Sequence, residues 1–231
     1  MITNIFADKN RKQLIQRFLL TSGDAGIGRN IILDKVIRDH NASTVGITDD
    51  KRIILKLVKA RTWHEHYKIL WKRSRTHTEF TGAKLLTSIG IDTPKVYEMG
   101  ISFPIAKNAK YIGYYLMENL DNSGYFLLSD IQASLTDKKI SQLTREIERI
   151  MEVLYENRVV YSDLNLGNIF VNPETMDIKL IDTGAKRYFR RKSHIRKHNK
   201  AIRSFIKTIK QSSFKGSDLD MYCQKLSSQI K

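Results

Sequence analysis

Tyr161-Ser162-Asp163-Leu164-Asn165-Leu166-Gly167-Asn168 is followed, after two short apolar runs, by Lys179-Leu180-Ile181-Asp182-Thr183-Gly184. Phosphoryl transfer needs these residue types. One carboxylate must orient the attacking hydroxyl and accept its proton, which makes Asp163 the candidate catalytic residue. A second carboxylate and a neutral amide oxygen can hold Mg²⁺ against nucleotide phosphates. Mg²⁺ takes hard oxygen ligands and keeps water and phosphate in its shell, so two protein ligands suffice. Asn168 and Asp182 are the candidates for that role. Taken singly, all three would be ordinary turn residues; the long helix before them and the apolar runs between them set them apart.

Those elements are legible from periodicity. Ile140, Leu143, Ile147, Ile150, Met151 and Leu154 make one apolar stripe and predict a helix over 137–157. Asn168 to Val171 and Ile178 to Ile181 read as short strands joined by a turn at Asn172-Pro173-Glu174. Ile195, Ile202, Phe205, Ile206 and Ile209 predict a basic C-terminal helix. Upstream, Ile31–Leu33, Lys35–Ile37, Thr44–Ile47 and Ile53–Val58 predict an antiparallel meander with polar turns at 39–41 and 48–51. Phe80, Ala83, Leu86 and Ile89 predict a helix over 74–89 that stops at Gly90. Lys95–Tyr97 and Tyr111–Met117 read as two further strands. In residues 1–30, Phe6, Leu14, Ile15, Phe18 and Leu19 fall at roughly helical spacing, so this stretch is expected to be a helical extension. A loop follows at Thr21–Gly28; its Gly23, Gly26 and Gly28 precede intervening strands and do not read as a phosphate cradle.

The chain has 231 residues, enough for one sizeable core or two joined lobes, and 41% of them are hydrophobic, which excludes a disordered protein. The single cysteine, Cys223, excludes an internal disulfide and a cysteine-based zinc site. No segment approaches the length of a membrane span, and the charged N-terminal stretch does not read as a secretory signal. A cytoplasmic location is therefore expected. The net charge of +16 predicts an anionic partner. Eleven Lys and Arg side chains and no acid lie within residues 183–210, beginning at Lys186. Tyr188 and Phe189 are interleaved with them. An anionic membrane surface suits this segment, and a solvated face or a nucleic-acid patch is the competing reading.

The loops at 163–168 and 182–184 resemble the catalytic and metal-binding loops of protein-kinase-like enzymes. That resemblance implies an α+β, two-lobed protein-kinase-like fold, with an antiparallel-sheet N-lobe over 31–120 and a reduced helical C-lobe over 121–231. It implies ATP and Mg²⁺ as cofactors. Lys56, which ends Ile53-Ile54-Leu55-Lys56, stands in the place of the strand lysine that contacts the α- and β-phosphates. Glu79 on the following helix stands where its ion-pair partner belongs, and Glu118 where these folds place the adenine hinge. Within the superfamily, Asp163-Leu164-Asn165 through Asn168-Ile169 is similar to the Kdo kinases of the lipopolysaccharide core. The run Lys35–Arg38 through Ile54–Lys56 is similar to the heptose kinases.

The resemblance thus implies transfer of phosphate to a Kdo or heptose hydroxyl of the lipopolysaccharide inner core. The anionic glycolipid would be held by segment 186–210 at the cytoplasmic face of the inner membrane. Only 49 residues follow Asp182, which favours a small acceptor over a peptide. The chain departs from the pattern at Tyr161 and Ser162 (usually His and Arg), at Asn165 (usually Lys) and at Thr183 (usually Phe). The loop Asp39–Thr44, where a glycine-rich nucleotide cover is expected, has no glycine. Two alternatives remain: a protein or small-metabolite kinase of the same fold, and a kinase-like binding protein without catalysis.

Overall fold

The computed structural model describes residues 2–11, 13–23, 29–102, 110–212 and 223–225. Gly26 and Gly28 lie outside the described residues. The chain divides into two units that do not follow a single cut in sequence: Met1–Phe80 with Pro94–Asn119, and Thr81–Thr93 with Leu120–Lys231.

The first unit holds β1 (Ile2–Phe6), β2 (Leu14–Gly23), β3 (Asn30–Asp39), β4 (Ser43–Thr48), β5 (Ile53–Lys59), the short α1 (His64–Lys68), most of the first half of α2 (Arg75–Ser88), β6 (Val96–Ile101) and β7 (Tyr111–Glu118). Its strands close into a barrel in the order β1-β2-β6-β7-β5-β4-β3, with β1 and β3 parallel where the barrel closes. Ile5, Phe18, Ile31, Leu33, Leu55, Leu57 and Tyr114 fill the interior, with Phe18 and Tyr114 edge to face at 5.0 Å.

The described part of residues 1–30 therefore forms strands, not a helical extension. β1 and β2 form an antiparallel pair, and β2 continues through Gly23 into the expected loop. Short apolar segments fit a strand or a helix about equally well, and here the cross-strand partners decide. Thr3 of β1 even reaches the buried Glu98, which also accepts the Tyr114 hydroxyl. Burial, and then Glu98, push the Tyr114 phenol up from its usual range. The two apolar runs at 31–37 are likewise one strand, β3.

The second unit holds the rest of α2, β8 (Phe126–Leu127), α3 (Leu128–Ile131), α4 (Asp137–Glu156), β9 (Val159–Tyr161), β10 (Ile169–Val171), β11 (Ile178–Leu180), β12 (Ala185–Arg187) and α5 (Arg191–Gln211). Gly90, at φ +78°, ends α2 as expected, and the Ile91 N–H donates back to the Leu86 carbonyl. The α4 stripe packs with Ile202, Phe205, Ile206 and Ile209 of α5. The N-terminal half of α5 differs from expectation. His194, His198 and Ala201 continue the buried stripe, while Ile195 is only half-buried.

Candidate active site

Lys56 is placed by the strand period. Leu55 and Leu57 point into the barrel, so Lys56 points to the opposite face. Its register partner on β7 is Tyr115, and its ammonium lies 5.5 Å from that ring's centre. Glu79 comes from α2. The Ser74 hydroxyl accepts the His77 N–H at 3.3 Å at the start of this helix, an N-cap. Phe80 packs on Met99 and Tyr115. The result is a Lys56 Nζ–Glu79 Oε2 ion pair at 2.9 Å, with the two side chains 9% and 15% exposed. The pairing implied for these residues is present.

Glu118 is the last residue of β7. Its carboxylate accepts the Lys95 N–H at 3.2 Å, and its own N–H donates to the Lys95 carbonyl at 2.8 Å. This side chain ties β7 to the segment before β6, so any contact with an adenine would come from the main chain. The glycine-free turn between β3 and β4 is closed by side chains. The Asp39 carboxylate takes the Lys59 ammonium and the Thr44 hydroxyl. Those two donors, Lys59 first, hold its carboxyl below the usual range.

In the second unit two ladders position the candidate loops. β9 pairs with β12, Tyr161 opposite Ala185, and β10 pairs with β11, Ile169 opposite Leu180. One rung further, the Ile181 N–H donates to the Asn168 carbonyl at 3.0 Å. Asn168 and Asp182 are thus brought to neighbouring positions at the end of one hairpin. Asp163 lies in the loop between β9 and β10 and is exposed. Its carbonyl accepts the side-chain amides of Asn165 and Asn168, each at 2.8 Å. This engages the Asn168 side-chain nitrogen, so a metal held by this residue would use its amide oxygen. Asp182 adopts φ +53°, the left-handed region, where Asp is tolerated at some cost.

Three positioning features escaped the sequence. The buried Tyr161 donates its hydroxyl to the Ile181 carbonyl, so the residue that departs from the usual His ties the segment leading to Asp182 to β9. Gly82 of α2 lies so close to the loop that carries Asp182 that a Cβ there would sit 1.6 Å from the Thr183 carbonyl oxygen. An open pocket of about 340 Å³ adjoins Asp163, lined by Ser129, Gln132, Ser204, Thr208, Gln211 and Ser212 together with Leu164 and Leu166. Ser204, Thr208 and Gln211 recur at helical spacing along α5, a signal the dense basic charge obscures. All eleven Lys and Arg side chains of 183–210 are exposed.

Among the described residues no cluster of three or more His, Cys, Asp or Glu side chains forms a metal cage. A Mg²⁺ held by one carboxylate, one amide oxygen and nucleotide phosphates does not need one, and the oxygen donors of Asn168 and Asp182 fit it.

Comparison with known proteins agrees with this chemistry. "Protein kinase kin1" of Schizosaccharomyces pombe is 33% identical over 84 residues, 36% of this chain and 9% of that protein. The profile of the protein kinase domain matches residues 53–222, from β5 past α5. Domains of this kind generally use ATP and Mg²⁺, which the donor set accommodates. That match takes in well over half of the sequence and all six candidate residues, and the chain belongs to the protein kinase domain family.

Proposed function

We infer that this kinase-domain phosphotransferase transfers phosphate from ATP to a hydroxyl of a sugar, a Kdo or heptose of the lipopolysaccharide inner core. Lys56, steadied by Glu79, would bind the nucleotide phosphates, and the main chain at Glu118 would meet the adenine. Asn168 and Asp182 would hold Mg²⁺, which supplies charge neutralisation on the phosphates. Asp163 would orient the acceptor hydroxyl and take its proton. The exposed basic segment 186–210 would attract the anionic glycolipid, placing the protein peripherally on the cytoplasmic face of the inner membrane.

The observation that carries the acceptor class is the cavity beside Asp163, whose walls offer hydroxyl and amide groups. Such groups exchange hydrogen bonds with a polyhydroxylated ring. The chain also passes from β12 into α5 through residues 188–190 alone, and no Ala-Pro-Glu follows Asp182. An activation segment of the peptide-phosphorylating kind ends in that tripeptide. A protein acceptor is the second reading, favoured by the similarity to protein kinase kin1.

The test is transfer from γ-labelled ATP with Mg²⁺ to dephosphorylated core lipopolysaccharide, to a generic protein, and to no acceptor, with Asp163→Ala as control. Label in the lipopolysaccharide, lost in the variant, is the expected result. Label in the protein alone establishes the second reading. No transfer, with no nucleotide-induced rise in Tm, identifies a binding protein without catalysis.

A further inference from the structure

The segment after β5 turns its apolar residues outward. Trp63, Tyr67, Leu70 and Trp71 are 65%, 51%, 62% and 65% exposed. Their spacing puts them on one side of α1 and the turn that continues it, where the Leu70 N–H donates to the Tyr67 carbonyl and the Arg73 N–H to that of Lys68. Trp63 stacks on His64 at 3.8 Å and meets Tyr67 edge-on at 5.6 Å. Among the apolar residues of the segment, Ile69 turns inward, onto Val58 and Ile112, and pins the segment to the first unit. A soluble surface rarely gathers four large apolar side chains in nine residues.

Charge identifies the occupant. Arg61, Lys68, Lys72 and Arg73 are exposed around the aromatic side chains. The only acid between 61 and 75, Glu65, is drawn inward by the Arg75 guanidinium at 3.3 Å and the Arg61 N–H at 2.9 Å. Exposed cations interleaved in sequence with Trp, Tyr and Leu match the boundary between anionic headgroups and acyl chains. There indole and phenol rings sit at headgroup depth, and cations meet phosphates. A second copy of this chain, itself at net charge +16, is a poor electrostatic match.

We propose that the Trp63–Trp71 patch is a membrane-interface anchor that inserts into anionic bilayers. It belongs to the first unit, and it involves neither the acceptor cavity nor segment 186–210.

The chain contains only two tryptophans, both in this patch, so tryptophan emission excited where tyrosine does not absorb reports on it alone. Vesicles of phosphatidylcholine and phosphatidylglycerol should shift the emission to the blue, and brominated acyl chains should quench it. Vesicles of phosphatidylcholine alone should do neither. The double variant Tyr67→Ser/Leu70→Ser keeps both probes and should lose about tenfold or more in vesicle partitioning. The triple variant Lys68→Gln/Lys72→Gln/Arg73→Gln should lose the preference for phosphatidylglycerol. All five side chains are exposed, so an unchanged Tm is expected. Sedimentation with vesicles without any change in emission would overturn the proposal, because another surface would then be binding. Failure to bind the vesicles at all would overturn it too, as would a concentration-dependent blue shift without lipid, which would assign the patch to a second copy. The vesicles contain no saccharide, so neither the result nor its failure depends on the acceptor proposed above.

Discussion

Lys56 in the first unit and Asp163 in the second are both charged candidate residues, yet each unit holds its own by different means. Lys56 is buried on a barrel strand, with Glu79 at 2.9 Å and the Tyr115 ring beside it. Its position is determined by packing, and its charge is bearable only because the partner is there. Asp163 is exposed on a loop, and what is fixed is its main chain, through the amides of Asn165 and Asn168. A fixed main chain with an exposed carboxylate would suit the hydroxyl-orienting role proposed for Asp163. A packed cation suits a group that must stay charged and still.

The difference predicts opposite signatures. Asp163→Ala should lower phosphate transfer by about 10²–10⁴-fold with Tm unchanged, read by labelled ATP and calorimetry together. A fall in Tm would place Asp163 among the structural residues and erase the contrast. Lys56→Met should impair transfer and also destabilise the fold, by roughly 1–3 kcal/mol in urea unfolding, since the largely buried Glu79 carboxylate would lose its ion pair with Lys56. Restoring stability in Lys56→Met/Glu79→Gln, without restoring transfer, would separate the two roles of the pair.

Gly82→Ala probes the loop that carries Asp182. The added methyl must displace the Thr183 carbonyl, at a cost of about 1–3 kcal/mol. A raised Mg²⁺ requirement for transfer would show that the loop itself has moved. The seam of α4 and α5 offers a pH test away from the site. Burial, and then His194, lower the His198 pKa from 6.5 to about 4, and burial with the Arg158 charge lowers that of His194. Both rings lie near Tyr155. The unfolded chain takes up these protons first, so stability is complete above about pH 6.5 and falls as the pH drops toward 4. A loss on the order of 2 kcal/mol is expected, flattened in His198→Gln. Smallest is Tyr161→Phe, which removes one hydrogen bond to Ile181. It should cost about 1 kcal/mol and reduce kcat more than it raises KM for ATP.

Local sequence was sufficient wherever a pattern was long or chemically specific. The α4 stripe repeats over about four turns, so its buried face follows from spacing alone. The Asp163, Asn168 and Asp182 set was legible because loop chemistry and two apolar strands coincide within twenty residues. The Lys56–Glu79 pair followed from resemblance, and the structure supplies its distance.

Other features depend on residues far apart in the chain. Residues 2–6 become a strand because Leu14–Leu19 and Asn30–Ile32 lie on either side of them. His194 and His198 take the buried face of α5 because α4 covers it, although Ile195 is the more apolar residue. Gly82 must be glycine because of a carbonyl a hundred residues away, and Tyr161 substitutes for a histidine because Ile181 is in reach. Amino-acid type and local spacing thus determined which side chains could carry the chemistry and which long helix supports them. Strand closure, the buried face of α5 and the polar cavity beside Asp163 were decided by tertiary structure, because hydrogen bonding and steric exclusion between distant segments outweigh the weak conformational preference of a short stretch of chain.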